Sequence, residues 1–312
     1  MNSIFTFSFL SISLFKSRLF ELSITKILIS FDKLVFEFKR IGLMIGDVVL
    51  VHSSFKSFGG VEGGPQTVID ALIKVLGNEG TLIVPRFNFD FSTYGTTWDV
   101  RSTPSHMGII SEFVRKDPRS RKVFHPIYPF SIIGKYADEL VKHRYKGGYS
   151  KDSIFNQLLL LDAKIIQIDK VYKSTTIIHH VEEILKVDYK YYKNFTGNVI
   201  DENGKKYEDT FNLYVRKLDE GYVTDVLPIG KILEDEDVMK IDKIGEATVW
   251  YMKASDVYDC TAKAIQKNPY ILCKIIPPTE ENKFLIKNYS ETLKFNKNYV
   301  NKQLSEDRMK KD

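Results

Sequence analysis

Runs of consecutive apolar residues alternate with segments of helical periodicity through the first two thirds of the chain. That alternation predicts an α/β fold with a central mixed sheet flanked by helices. Val48, Val49, Leu50 and Val51 form the first run, and four small apolar residues in a row suit a strand covered on both faces. The run ends at His52, Ser53 and Ser54, passes Gly59, Gly60, Gly63 and Gly64, and enters a helix opened by Pro65. On that helix Val68, Ile69, Leu72, Ile73 and Leu76 share one face, and Gly77 is placed to end it. Further strands are predicted at 81–85, 130–134 and 164–168, and helices at 105–116, near 136–143 and at 154–161. The 105–116 helix should turn Ile109, Ile110, Phe113 and Val114 inward. Residues 86–98 are aromatic and polar without a clear period, which predicts a long loop at a substrate mouth.

After 168, Ser174, Thr175 and Thr176 offer N-cap hydroxyls to a helix carrying Ile177, Ile178, His179, His180, Val181, Glu182 and Glu183. Alternation over 197–211, with Asn203-Gly204 as a two-residue turn, predicts an antiparallel hairpin within a variable β-rich insert spanning about 189–244. Glu234, Asp235, Glu236 and Asp237 read as a solvated charge run, or as the lining of a site for a cation. A helix at 255–266 and a strand at 270–273 close the pattern. The expected organisation is an apolar appendage at 1–35, one α/β domain at 36–290 and a charged tail at 291–312. The appendage lacks the leading positive charges and cleavage pattern of a signal peptide, and Lys16 and Arg18 interrupt its apolar run. An early start codon is an alternative origin for it.

With 312 residues, 43% hydrophobic and 13% aromatic, the chain can bury a substantial core and is expected to be soluble. Its net charge of +5 is spread along the chain, which argues against a nucleic-acid-binding arm and suits an anionic cofactor. Cys260 and Cys273 have neither paired spacing nor a nearby His cluster, so a disulfide framework and a structural zinc site are not indicated. A reducing cytoplasmic compartment is expected.

Two features carry candidate chemistry. Glycines let backbone N–H groups approach a ligand closely, and a following helix N-terminus adds partial positive charge, so the 52–64 turn suits a phosphate-bearing cofactor. A tight strand-to-helix turn with no ligand would share the pattern. The second feature is His179, with Glu182 and Glu183 three and four residues on, where a helix brings side chains together. A carboxylate there can orient an imidazole for general-base work. The apolar stripe centres near Val181, which sets His179 opposite it, facing water or a cleft, and His180 on the flank within reach of Glu183. An ordinary surface pair has the same spacing. No Gly-x-Ser-x-Gly elbow, P-loop or Gly-x-Gly-x-x-Gly fingerprint occurs, and no third ligand joins the His-x-x-Glu pair to make a metal site.

Several separated blocks then agree in order with one family. They are Val51-His52-Ser53-Ser54 with Gly59, Val61 and Gly63-Gly64-Pro65; Gly80-Thr81-Leu82 with Pro85; Thr103-Pro104-Ser105-His106-Met107-Gly108 with Glu112 and Arg115; His125-Pro126 with Ser131 and Gly134; Thr176-x-x-His179-x-x-Glu182; and Gly245-Glu246-Ala247 with Ile271-Leu272-Cys273. This set, over roughly 36–275, resembles the aminoglycoside 3-N-acetyltransferase family. The resemblance implies acetyl transfer from acetyl-CoA to the amine of a sugar-like acceptor by direct attack, with no metal. His179 then matches the catalytic base, Glu182 its partner, and Thr176 a donor to the thioester oxygen. It implies CoA contacts from His52, Ser53, Ser54, Phe55, Lys56, Ser57, Phe58, Gly59, Gly60 and Val61, with Met107, Gly108 and Ser111 nearby and Arg115 and Lys56 toward the phosphates. Asp90, Asp99 and His125 are candidates for acceptor binding. The implied partner is a small-molecule amine, with no nucleic acid and no membrane span, and a homodimer is an admissible assembly. The chain departs from the family at Asp169-Lys170, where a glycine is usual, and at Ile177 and His180. A noncatalytic CoA-binding or assembly protein that retains the fold, and an acyl-CoA thioesterase, are the alternatives.

Overall fold

The apolar runs become strands whose side chains alternate between two helical layers. A computed structural model describes residues 28–169 and 172–287. In order these form α1 (Phe31–Arg40), β1 (Val48–Ser53), α2 (Pro65–Leu76), β2 (Thr81–Pro85), α3 (Asp90–Tyr94), β3 (Trp98–Asp99), α4 (Ile109–Lys116), β4 (Arg121–Lys122) and β5 (Phe130–Gly134). Then come α5 (Ala137–Leu140), α6 (Ile154–Leu160), β6 (Lys164–Ile168), α7 (Ile178–Ile184), β7 (Lys190–Ile200), β8 (Lys206–Arg216), β9 (Tyr222–Thr224), α8 (Leu227–Asp235), β10 (Lys240–Ile244), β11 (Ala247–Lys253), α9 (Ala254–Lys267) and β12 (Cys273–Ile275).

The main sheet has seven strands in the order β10-β11-β6-β1-β2-β5-β4. β1 pairs in parallel with both β2 and β6, while the outer pairings are antiparallel, so the sheet is mixed. Because successive strand residues point to opposite faces, Val48 and Leu50 enter one core with α6, α7 and α9, whereas Val49 and Val51 enter another with α1, α2 and α4. Both faces are therefore covered, as the uninterrupted apolar run of β1 requires. Parallel strands collect their C-terminal ends on one edge, and here Ser53, Pro85 and Ile168 bring the 54–64 turn, the Arg86–Asn88 segment and the path to α7 to that edge.

Several expectations are corrected. The 105–116 helix starts only at Ile109, because Ser105 Oγ accepts from Met107 N and Glu112 Oε2 accepts from Ser105 N, which holds the preceding residues in a turn. Ile110, Ser111, Val114 and Arg115 face inward, while Ile109 and Phe113 are exposed. The 86–98 segment carries α3, and Phe87, Phe91 and Trp98 are buried. The hairpin is longer than predicted, and its connection is the five-residue loop 201–205, in which Asp201 Oδ1 accepts from Asn203 N and Lys205 N. Only Gly204 adopts a positive φ there, so the two-residue turn, which needs both central residues left-handed, does not form. The predicted 270–273 strand lies instead at β12, paired with β9. Residues 31–35 belong to the fold, since α1 packs on α2 with Leu34 and Phe38 fully buried. The rest of the expected appendage and the 291–312 tail lie outside the described residues. Among the described residues no helix is long and apolar enough to cross a membrane.

Candidate active site

The chain leaves β6 through Asp169, which adopts a left-handed φ of 49° at the position where the resemblance implies glycine. Aspartate is among the few side chains that tolerate this region. Its carboxylate uses the position: Ser57 Oγ lies 2.6 Å from Asp169 Oδ2 and 2.9 Å from Ser54 Oγ. With one hydroxyl proton, Ser57 donates to the carboxylate and accepts from Ser54. This ties the turn after β1 to the turn after β6. Gly59 adopts a φ of 83°, a left-handed conformation that favours glycine, and the carboxylate end of the exposed Glu246 side chain lies over it, 2.3 Å from where a Cβ would fall. Lys56 is exposed on the same turn. Gly108, at the N-cap of α4, sits against Ser53, whose carbonyl oxygen would be 3.6 Å from a Cβ at 108. His52, Ser53 and Ser111 are buried. The fold thus brings together the 52–61 turn and the start of α4, far apart in sequence. Arg115 is committed elsewhere, with its guanidinium forked onto Glu112 (2.8 and 2.5 Å) and onto the Arg101 carbonyl (3.1 Å). That pairing accounts for it without a phosphate.

Beyond Asp169, buried Gln167 donates to Thr175 Oγ1 at 2.8 Å and fixes the turn into α7. The predicted hydroxyl cap does not form: Ile177 occupies the N-cap, and Thr176 Oγ1 is buried with no hydrogen-bond partner among the described residues. One turn on, His179 Nδ1 donates to Glu182 Oε2 at 2.5 Å. Glu182 is buried and accepts two further bonds, since Tyr189 donates to Oε1 at 2.5 Å and the Lys190 ammonium pairs with Oε2. Burial alone would raise this carboxyl, but the Lys190 charge and the His179 ring outweigh it and hold it at about 2. The carboxylate is therefore ionised and fixes His179 as the Nδ1–H tautomer. Burial, then the Lys190 charge, lower the His179 pKa against the pull of Glu182, so Nε2 is an unprotonated base near neutral pH. The His179 side chain keeps 20% of its surface open, and the Tyr149 ring lies 5.3 Å away in an edge-on contact.

The helix is far less exposed than its amphipathic pattern suggests, since α9 and the β7–β8 hairpin cover its polar side. His180, Glu182 and Glu183 are all buried. His180 does not reach Glu183: its Nδ1 donates to the Tyr149 carbonyl at 2.5 Å, and Glu183 accepts from the Tyr192 hydroxyl at 3.1 Å. The proposed acceptor residues are not gathered into one acidic mouth. Asp99 is chelated by Arg101 at 3.1 and 2.9 Å, and Asp90 Oδ2 lies 3.5 Å from His106 Nε2. In the charge run, Glu234 accepts from the Tyr172 hydroxyl and Glu236 from the Cys260 thiol. Lys190, Tyr189 and Tyr149 were not foreseen, because nothing in local spacing marks a partner supplied by a later strand or by the loop before α6.

His125 is 2% exposed, and its Nδ1 accepts from the backbone N–H groups of Ile127 (3.1 Å) and Tyr128 (2.9 Å). Through Nδ1 the ring caps this turn. Burial, then the Lys146 charge, push its pKa down to about 3. The unfolded chain protonates this histidine below its ordinary 6.5 and the folded chain only near 3, so the unfolded state binds more protons in that window. Stability should therefore fall on acidification from pH 6.5 to 5, by up to about 1.4 kcal/mol per pH unit from this group. Urea unfolding at both pH values should show a smaller difference in His125→Asn.

Residues 50–266 match the family described as Aminoglycoside 3-N-acetyltransferase. The SPbeta prophage-derived aminoglycoside N(3')-acetyltransferase-like protein YokD of Bacillus subtilis (strain 168) is 28% identical over 249 residues, 73% of this chain and 89% of that protein. Its crystal structure shares the fold, with a TM-score of 0.68 at 24% identity over 78% of this chain and 96% of that one. Aminoglycoside N(3)-acetyltransferase VII of Streptomyces paromomycinus is 27% identical over 187 residues, 54% of this chain and 65% of that enzyme. The family match covers well over half of the chain and includes both the glycine turn and the His179–Glu182 pair, so the chain belongs to the aminoglycoside 3-N-acetyltransferase family of acyltransferases.

Proposed function

We propose that this protein is an acetyl-CoA-dependent N-acetyltransferase acting on an amino group of an amino sugar or aminoglycoside, with His179 as general base. The observation that carries it is the buried relay from Lys190 through Glu182 to His179, which leaves Nε2 as the basic atom, with the Thr176 hydroxyl three residues before it unpartnered among the described residues. The glycine turn fits CoA by the same kind of observation: a left-handed glycine at 59, an exposed Lys56 suited to a phosphate, and the start of α4 beside Ser53. Acetyl-CoA, when bound, supplies an acyl group already activated for attack by an amine. His179 Nε2 takes the proton that the acceptor nitrogen must lose. Thr176 Oγ1 donates to the carbonyl oxygen as negative charge builds there. His179, now protonated, holds the proton that the departing sulfur requires. Glu182 stabilises that imidazolium, and Lys190 keeps Glu182 ionised.

Thr176→Val should lower kcat by about 100-fold, the scale of one lost oxyanion donor, with little change in the KM for acetyl-CoA. Thr176→Ser should retain most of the rate. Steady-state thiol release in the presence of an amino sugar measures both. A thioesterase would release thiol without an acceptor, and an assembly protein would release none.

A further inference from the structure

Arg216, the last residue of β8, stands directly across the antiparallel ladder from Lys190, the first residue of β7. Two cations in register repel unless each has a counter-ion. Lys190 has one in Glu182. Glu182 already accepts from His179, Tyr189 and Lys190, and Arg216 Nη1 is buried with no hydrogen-bond partner among the described residues. The surroundings of the guanidinium are Tyr128, Tyr149 and Glu182, and its charge is felt by the His179 ring. Other nearby carboxylates have partners of their own: Asp99 lies on Arg101, Asp90 faces His106, and Glu183 accepts from the Tyr192 hydroxyl. Beside the Lys190–Glu182 pair the fold therefore places a second cation, whose buried Nη1 has no hydrogen-bond partner among the described residues. A polycation would meet repulsion there, whereas a carboxylate or phosphate would satisfy the fork in two bonds.

We propose that Arg216 binds an oxyanion, a carboxylate or a phosphate, borne by the acceptor, so that the preferred substrate is an anionic amino sugar rather than a polycationic aminoglycoside. The proposal rests on His179 acting as the acetyl-transfer base. The test compares kcat/KM with acetyl-CoA for glucosamine, its phosphate monoester, its uronic acid and a polycationic aminoglycoside. One or both anionic sugars should exceed glucosamine by ~30-fold, and in Arg216→Gln that ratio should fall to within ~3-fold of unity, the loss expected for a charge-assisted pair. Arg216→Lys, which keeps the charge but not the fork, should fall between and covers the case in which the glutamine variant does not fold. The ranking of phosphate against uronic acid identifies the oxyanion. Calorimetric binding of the better anionic sugar, which needs no turnover, should weaken at least ~10-fold in the glutamine variant. A ratio near one in the wild type, preference for the aminoglycoside, or an effect of Arg216→Gln on the KM for acetyl-CoA in place of the ratio overturns the proposal. Absence of acceptor-dependent thiol release with every amine, while the anionic sugar still binds through Arg216, overturns the acetyl-transfer reading instead.

Discussion

His179→Ala is expected to lower kcat by roughly a thousand-fold while changing the KM for acetyl-CoA by less than about three-fold, the range in which general-base catalysis operates. The imidazole is the one group on α7 that combines a buried carboxylate at Nδ1 with an opening to solvent. His180 is the control. Its ring is buried and spends Nδ1 on the Tyr149 carbonyl, so its removal should act through stability and not through the chemical step. The pH profile supplies the same test in the wild type. Burial, then Lys190, lower the His179 pKa, so the acidic limb of kcat/KM should have its midpoint below 6.5 and the base should be fully available at neutral pH. Activity should be lost as pH falls through that depressed value, when Nε2 becomes protonated.

Glu182→Gln should be the most damaging substitution for stability, by about 3–5 kcal/mol, because it leaves the buried Lys190 ammonium without its counter-ion. The damage is compounded by Arg216, the register partner of Lys190, which then faces an uncompensated like charge. The double variant Glu182→Gln with Lys190→Met should recover a substantial part of the loss, since it removes the stranded charge as well as its partner. Acid dependence checks the sign. The Glu182 carboxyl is held at about 2 against an ordinary 4.5, so its contribution is present above pH 4.5 and lost as pH falls toward 2. That shift corresponds to stability on the order of 3 kcal/mol, and the glutamine variant should lack this component of acid unfolding. Equilibrium denaturation at pH 7 and pH 3 reads both effects.

The central sheet was legible because its inner strands are short apolar runs closed by glycine, proline or polar residues. Thr81–Pro85, Phe130–Gly134 and Lys164–Ile168 all lie where the pattern predicts them. α2 was equally plain, bounded by Pro65 and Gly77. The His179–Glu182 contact follows from helical spacing alone. What spacing could not reveal is how deeply Glu182 and Glu183 are buried, because that depends on the β7–β8 hairpin closing over α7 from later in the chain. Lys190 and Arg216 read as ordinary strand cations until the register places them face to face. Local hydrogen bonding decided the other differences. Side-chain bonds from Ser105 and Glu112 shortened α4, and those of Asp201 outcompeted the Asn-Gly turn. Asp169 shows the reverse case, a departure from the usual glycine that the backbone accommodates and that Ser57 puts to use.

The most direct measurement is thiol formation from acetyl-CoA, with product mass, across a panel of amine acceptors and in their absence, for wild type, His179→Ala and His180→Ala. Acetyl transfer by His179 predicts thiol only when an amino sugar or aminoglycoside is present, one acetyl group added to that acceptor, and loss of both in His179→Ala alone. Thiol release without an acceptor, or turnover abolished by His180→Ala and retained by His179→Ala, would contradict it.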